Sequence, residues 1–375
     1  MIMRIGYYVF LGHGDYHSPL ILNKKWFSSW TLENWKVFIQ NLIDLDVDTI
    51  MIYLNGHHLP YDSKIYPELT DKTHNNVKEN FLCELLEYIK QSGIQIIGVL
   101  TTTGHAGGFS QISPESSIEI KNKNISIEDT LVSFPEHIRK GKTSKKDGCA
   151  QVGFGVLCHN KLSARKYAEN ITKELINSYG DYFHGLAFHP PEATYPCQCS
   201  CCCEKYESEH HESLKEASLD DARKFFITSY LKYQNDVLVA LVNRYLPSTK
   251  IFSFTVPWLF ESNLTSVLAL IPKEITIIDW DYNLDSKRIS KLPERLTNYL
   301  NAGNDVWFMP SAGFSFSTQL PIPDQIEAVH RQIKIAEELG VSGISHFLGP
   351  KTSDYLVETS RKEIVESKSS TFTLC

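Results

Sequence analysis

The stretch HGLAFHPPEATYPCQCSCCCEKY, residues 184 to 206, runs from a short apolar strand through one carboxylate into five cysteines within seven residues. Its first part, His184–His189, is apolar without period-two alternation, which is how a strand reads when both faces of its sheet are covered. Such strands belong to parallel sheets, where each strand is joined to the next by a crossover helix. Helical spacing is found on both sides. Ser163–Tyr179 carries Tyr167, Ile171 and Leu175 on one face, and a second helix is predicted over Asp221–Leu246.

The same unit recurs along the chain. Arg4–Phe10 (RIGYYVF), Thr49–Leu54 (TIMIYL) and Gln95–Thr101 (QIIGVLT) read as strands one to three. Lys250–Val256, Ile275–Asp279, Asp305–Met309 and Gly343–Phe347 read as strands five to eight. Helices are predicted over Thr31–Leu45, about Lys78–Gln91, Asn263–Leu270, Lys291–Ala302 and Pro323–Leu339, with Gly303 and Gly340 at C-cap positions. Apolar strands alternating with helices predict a single (β/α)8 TIM barrel over residues 1–350, with a long polar insertion at 105–155 after strand three. A polar tail, partly helical, is expected at 351–375. An open doubly wound sheet is the alternative; the absence of a Gly-rich phosphate loop after strand one speaks against a nucleotide-binding version of it.

Composition narrows the function classes. The chain has 375 residues, 42% of them hydrophobic and 22% charged, enough for a sizeable core. A net charge of -7 without a basic tract argues against nucleic acid or an anionic membrane as partner. The apolar start breaks at Gly12, His13 and Asp15 without a cleavage pattern, so no signal peptide is expected, and no run is long enough to span a membrane. Nine cysteines, five of them crowded together, suit metal ligation in a reducing compartment better than a disulfide framework, and a cytoplasmic location is expected. A homo-oligomer is compatible with this composition.

In a barrel the chemistry sits at the carboxyl ends of the strands. Those positions hold His13 and Asp15, then Asn55, His57 and His58, then Thr102 and His105. His189 and Glu192 follow strand four, Trp258 strand five, and Asp279, Trp280, Asp281 and Tyr282 strand six. Ser311 and Phe314 follow strand seven, and His346 ends strand eight. Any one histidine here has a bland reading as a hydrogen-bonded structural group. The concentration of His, Trp, Tyr and carboxylate at one end points to a polar-substrate pocket, with a sugar as ligand and Trp258, Trp280 and Tyr282 as stacking platforms. The HAGGFSQ segment of the insertion is expected to form a wall or lid over the mouth.

Cys197, Cys199 and Cys202 form a C-x-C-x-x-C spacing that can wrap three thiolates around one ion. A tetrahedral zinc site needs a fourth ligand; Cys158 is the first candidate and Cys149 the reserve, and Cys201 or Cys203 could replace one of the three. A site closed by four cysteines is structural, and would pin the loop that carries Glu192.

From Cys158 to Tyr206 the chain is similar to the barrel β-galactosidases of glycoside hydrolase family forty-two. The likeness rests on a cysteine before a helix that ends in Tyr-Gly, a strand ending in a glutamate, and C-x-C-x-x-C after it. The resemblance implies structural zinc on Cys158, Cys197, Cys199 and Cys202, and a general acid/base at Glu192. The chain departs from that family in carrying Pro191-Glu192 where the family has Asn-Glu. It also has no carboxylate in FMPSAGFSFS, residues 308–317, where the family places its nucleophile.

Glycoside hydrolysis needs one carboxyl held protonated and a second as base or nucleophile. Glu192, set among prolines and aromatics, is expected to be the acid, with Asp281 ahead of Asp279 as partner. A rival reading is a metal-dependent sugar isomerase, epimerase or aldolase barrel, with His105, His189, Glu192, Asp281 and His346 around a divalent ion. A third is a carbohydrate-binding barrel without catalysis.

Overall fold

The computed structural model describes residues 3–11, 27–56, 58–104, 107–119, 145–146, 149–150, 156–191, 196–255, 264–280, 286–310 and 322–347. The strands are β1 Arg4–Phe10, β2 Thr49–Tyr53, β3 Gln95–Thr101, β4 Lys145–Lys146, β5 Cys149–Ala150, β6 Gly185–His189, β7 Lys250–Phe254, β8 Thr276–Trp280, β9 Val306–Met309 and β10 Gly343–Phe347. Eight of them close a parallel barrel in the order β1-β10-β9-β8-β7-β6-β3-β2. The expected (β/α)8 barrel is therefore the fold. β4 and β5 form a separate antiparallel pair inside the insertion. The remainder of the insertion between residues 120 and 155, and the tail at 351–375, lie outside the described residues.

The helices are α1 Leu32–Asp44, α2 Asn75–Lys78, α3 Leu82–Gln91, α4 Gly107–Ile112, α5 Leu162–Tyr179, α6 Ser200–His210, α7 Leu219–Tyr233, α8 Ala240–Tyr245, α9 Leu264–Leu268, α10 Ser286–Asn301 and α11 Ile322–Glu338. α1 starts at Thr31, whose hydroxyl accepts from the Asn34 amide at 3.2 Å while Asn34 Oδ1 accepts from the Thr31 amide at 3.0 Å. This reciprocal cap satisfies two donors that the first turn leaves unpaired. The apolar face of α1, with Trp35, Phe38, Ile39 and Leu42, is buried. Glycines close α10 and α11 at left-handed positions, Gly303 at φ +89° and Gly340 at φ +77°.

Two helices depart from their expected course. The one expected from about Lys78 begins at Leu82: α2 ends at Lys78, and Asn80 between them adopts φ +52°, a conformation asparagine tolerates better than most residues. The one over Asp221–Leu246 contains a π-helical turn at Gln234–Val239 between α7 and α8. The extra residue lets two neighbouring amides bond inward: Gln234 Nε2 donates to Ser253 Oγ on β7 at 3.1 Å, and Asn235 Nδ2 donates to the Leu270 carbonyl at 2.7 Å.

Alternate residues along the strands separate two cores. Tyr8, Met51, Tyr53, Ile97, Val99, Ala187, Phe252, Phe254, Ile278, Trp280, Trp307, Met309 and Phe347 pack together, drawn from all eight barrel strands, and form the barrel interior. Their neighbours on the strands, such as Ile277 and Ile344, join the layer between barrel and helices. Low in the interior, Gly185 and Gly343 make room for large rings: a Cβ would lie 2.6 Å from Phe252 at Gly185 and 2.3 Å from Trp307 at Gly343. The barrel is filled rather than hollow, so ligand chemistry belongs at the strand ends. Among the described residues no helix is long and apolar enough to cross a membrane.

Candidate functional site: the barrel mouth and its cysteine cage

The carboxyl end of β6 places His189 inside the barrel mouth. Its ring lies 4.9 Å from that of Phe254 and 6.0 Å from that of Trp280, the last residue of β8. Below them Tyr8 packs against Phe254 at 5.7 Å, Phe347 at 5.3 Å and Tyr53 at 6.2 Å. Tyr53 and Thr101 share a hydroxyl hydrogen bond of 2.8 Å, which ties β2 to β3. The mouth therefore stands on an aromatic floor, and sequence reading missed Tyr8 and Tyr53 because alternation alone does not say which parity faces inward. His189 Nδ1 lies 3.0 Å from the Pro190 carbonyl. A carbonyl can only accept, so Nδ1 is the donor of this pair.

Asn55 is buried and works as a clamp. Its Nδ2 donates to the Thr101 carbonyl at 3.0 Å and its Oδ1 accepts from the Thr101 amide at 2.9 Å, locking the ends of β2 and β3. The loop after β2 is held by a buried carboxylate that sequence reading did not single out, Glu174 on α5. It accepts from Ser63 Oγ at 2.7 Å, Tyr61 OH at 3.3 Å, and the amides of Lys64 and Ile65 at 2.7 and 3.2 Å. A buried acid in the middle of an amphipathic helix is the only signal the sequence offers for it.

Two expected rim residues face the other way. Asp279 lies on the helix side of β8, fully buried, where Arg295 of α10 grips both its oxygens: Nε at 2.9 and 3.0 Å and Nη2 at 2.9 Å. Tyr299 and Thr255 donate to the same carboxylate at 3.1 and 3.2 Å. A carboxylate saturated in this way does not fit the role of catalytic partner expected for Asp279. His346 likewise sits on the helix side of β10, its ring 5.9 Å from that of Tyr7, and burial lowers its pKa to about 3. It is a neutral core imidazole, so the expected substrate or metal contact at His346 is corrected. Its strand parity put it there: Phe347 takes the inward position. His13, His57, His105, Glu192, Trp258, Asp281 and Tyr282 lie outside the described residues.

Beside the mouth, α5, α6 and the loops before them bring Cys158, Cys197, Cys199 and Cys202 together. All four are buried and their sulfurs lie within 4.8 Å of one another. Cys158 Sγ is 3.7 Å from Cys199 Sγ and 3.4 Å from Cys202 Sγ. Four thiolates at Zn–S bonds of about 2.3 Å would stand roughly 3.8 Å apart in a tetrahedron, so the donor set fits such an ion. Three N–H groups already point at the sulfurs: the amides of Glu119 and Cys199 at Cys197, at 3.3 and 3.5 Å, and Asn160 Nδ2 at Cys202, at 3.3 Å. Hydrogen bonds from Cys158, Cys197 and Cys202 hold the Cys199 thiol far below its ordinary range, while burial pushes Cys197 well above it. Neighbouring Cys201 is exposed and Cys203 is half-buried with its thiol directed at the Gln198 carbonyl at 3.6 Å; neither joins the cluster, and the backbone of Cys149 belongs to β5.

The cage ties the two ends of the insertion to the loop after β6. Ser117 pairs antiparallel with Leu157, the Cys158 amide donates to Ser116 O at 2.9 Å, and the Gln198 amide donates to Glu119 O at 2.6 Å. The Leu157 amide reaches Thr103 O at 2.7 Å, just beyond β3.

No protein-family model matches the sequence, and none of the curated proteins matches it. Solved structures do resemble the fold. A β-galactosidase from Halorubrum lacusprofundi superposes with a TM-score of 0.64 at 12% identity, over 98% of this chain and 58% of that one. A β-galactosidase from Marinomonas ef1 gives 0.63 at 11% identity, over 99% of this chain and 60% of that one. The family 20 exo-β-N-acetylglucosaminidase from Vibrio harveyi gives 0.58 at 13% identity, over 98% of this chain and 54% of that one. The chain thus spans little more than half the length of these neighbours, and the likeness, at such identities, is one of fold: a barrel that known glycoside hydrolases share.

Proposed function

We propose that the chain is a glycoside hydrolase-like enzyme acting on a sugar or oligosaccharide, with Glu192 as general acid/base and Asp281 as its partner carboxylate. The observation that carries this reading is the pairing of His189 and Trp280 in the mouth, with the four-cysteine cage on the far side of the short segment that holds Glu192. His189 ends β6 three residues before Glu192, and Cys197 follows five residues after it. A carboxyl placed there is flanked on both sides by fixed chain, as positioning of a proton donor demands. Pro190 and Pro191, the two residues before Glu192, are both buried.

In this reading Glu192 protonates the leaving glycosidic oxygen, and Asp281 activates water or attacks the anomeric carbon. Trp280 offers an indole for the sugar face, and His189 an imidazole for a sugar hydroxyl. Cys158, Cys197, Cys199 and Cys202 hold a structural zinc, which leaves no open coordination position and supplies cross-linking rather than a reacting group. A cytoplasmic, reducing setting suits such a cage.

The test is turnover of a panel of aryl and natural glycosides by the wild type and by Glu192→Gln. Loss of about 10²–10⁴ in kcat on poor leaving groups, with activated aryl glycosides largely spared, is expected of a missing proton donor. Equal turnover by the variant on every substrate refutes the assignment. A second reading, a carbohydrate-binding barrel without catalysis, is favoured by the engagement of Asp279 with Arg295 and by the lack of a carboxylate at residues 308–317. Sugar binding without wild-type turnover would select it. The metal-dependent isomerase reading loses a ligand, since His346 faces the helix layer.

A further inference from the structure

The four sulfurs are joined to the helix layer by one polar chain. Lys205 lies three residues after Cys202 on α6, hence on the same face of the helix. Its Nζ donates to Ser229 Oγ on α7 at 2.7 Å and to Asn160 Oδ1 at 3.3 Å. Ser229 Oγ donates to the same Asn160 oxygen at 2.9 Å. With its oxygen held by two donors, the Asn160 amide has one orientation, and its Nδ2 meets Cys202 Sγ at 3.3 Å.

Charge gives this chain a purpose. Four thiolates around a divalent ion carry a net charge of about −2, which needs nearby positive charge when buried. Lys161, the other lysine at the cage, is already matched by Glu119 at 2.7 Å and by the Ser117 carbonyl at 2.8 Å. Lys205 has neutral oxygens as its hydrogen-bond partners, and its charge is shared between the Glu209 carboxylate, one turn further along α6, and Cys202 of the cage. It also polarises the amide that donates to Cys202.

We propose that Lys205, acting through Asn160, is a positioning residue of the cysteine cage: it supplies the counter-charge for the thiolates, fixes the N–H donated to Cys202, and so sets how tightly a divalent ion is held. This rests on the reading of the cage as a metal site. It goes beyond that reading in assigning the grip on the ion to two side chains that touch no metal themselves.

The experiment is competition for zinc between the purified chain and a chromogenic chelator, for wild type, Lys205→Met, Lys205→Arg and Asn160→Leu, with far-UV circular dichroism to confirm that each is folded. Wild type is expected to hold one zinc per chain. Lys205→Met and Asn160→Leu are expected to lose about 10–100-fold in zinc affinity, the range seen when groups behind metal ligands are removed. Lys205→Arg keeps the charge and two donors and is expected to stay close to wild type. Among the four cage cysteines, pulse alkylation read by mass spectrometry is expected to reach Cys202 first in the Met and Leu variants. Unchanged affinity in both variants overturns the proposal, as does an Arg variant as weak as Met, which would reduce Lys205 to packing. A wild type that neither contains nor takes up zinc overturns the cage reading itself and the proposal with it, and the wild-type sample alone reports that result.

Discussion

Replacing Asp279 by alanine removes the carboxylate that Arg295 holds through three contacts of 2.9–3.0 Å. The guanidinium that remains is only 5% exposed, so water cannot take over the lost partner. Breaking a buried pair by deleting one member costs about 3–5 kcal/mol, because the other charge is left uncompensated. Tyr299 and Thr255 also lose their acceptor, which places the effect at the upper end. An unfolding entropy of roughly 2.1 cal/mol/K per residue turns this into a fall in Tm of about 4–6 °C for a chain of this size. Scanning calorimetry or urea unfolding measures it. Asp279→Leu combined with Arg295→Met is expected to recover much of the loss, since an apolar pair of similar volume removes the stranded charge. Turnover by folded Asp279→Asn is expected to stay close to wild type. Two outcomes would refute the reasoning: an Asp279→Ala chain that melts with the wild type, or a folded Asp279→Asn chain whose kcat falls by the 10²–10⁴ or so typical of a lost proton-transfer group.

Burial lowers the pKa of His74 to about 4 and that of His346 to about 3, so the unfolded chain binds protons below pH 6.5 that the folded chain refuses. Stability is expected to be fully present above pH 6.5 and to fall by about 1–2 kcal/mol per histidine by pH 5; urea unfolding at pH 7 and pH 5 checks this, and His74→Asn, which still caps α2 but does not titrate, is expected to flatten the slope. Gly343→Ala would push a methyl group against the Trp307 ring, 2.3 Å away, and is expected to cost about 1–3 kcal/mol or more through overpacking, read as a lower Tm or loss of soluble chain.

The barrel was legible because its strands are apolar on both faces and its helices are periodic, and these two signals need no tertiary information. Element ends were less so. Asn80 at φ +52° stands inside the stretch where periodicity begins a helix at about Lys78, and the π turn at Gln234–Val239 exists because Gln234 and Asn235 bond to neighbours far away in sequence. The cage was legible for a different reason. Sulfur ligands at C-x-C-x-x-C spacing have few alternative uses, and Cys158 stands just before α5, whose far end leads directly into β6. Its outer contacts were hidden, since an asparagine and a lysine are ordinary surface residues until folding brings Asn160 and Lys205 against Cys202.

The rim residues failed or held by parity. Within a strand, side chains alternate between the barrel interior and the helix layer, so proximity to a carboxyl end does not make a residue face the mouth. His189 and Trp280 have the inward parity of Ala187 and Ile278; Asp279 and His346 have the outward parity of Ile277 and Ile344. Residues two apart, such as Asp279 and Asp281, share a side only where a strand continues between them. Asp281 lies outside the described residues, so the outward placement of Asp279 is not extended to it. Asp281 therefore keeps its candidacy on grounds independent of Asp279: it immediately follows an inward-facing tryptophan at the rim, where a second carboxylate has to stand if Glu192 is the acid. Loss of turnover in Asp281→Asn, with Asp279→Asn spared, is the pattern this parity argument requires; the opposite pattern would show that the helix-side ion pair, not the mouth, had been misassigned.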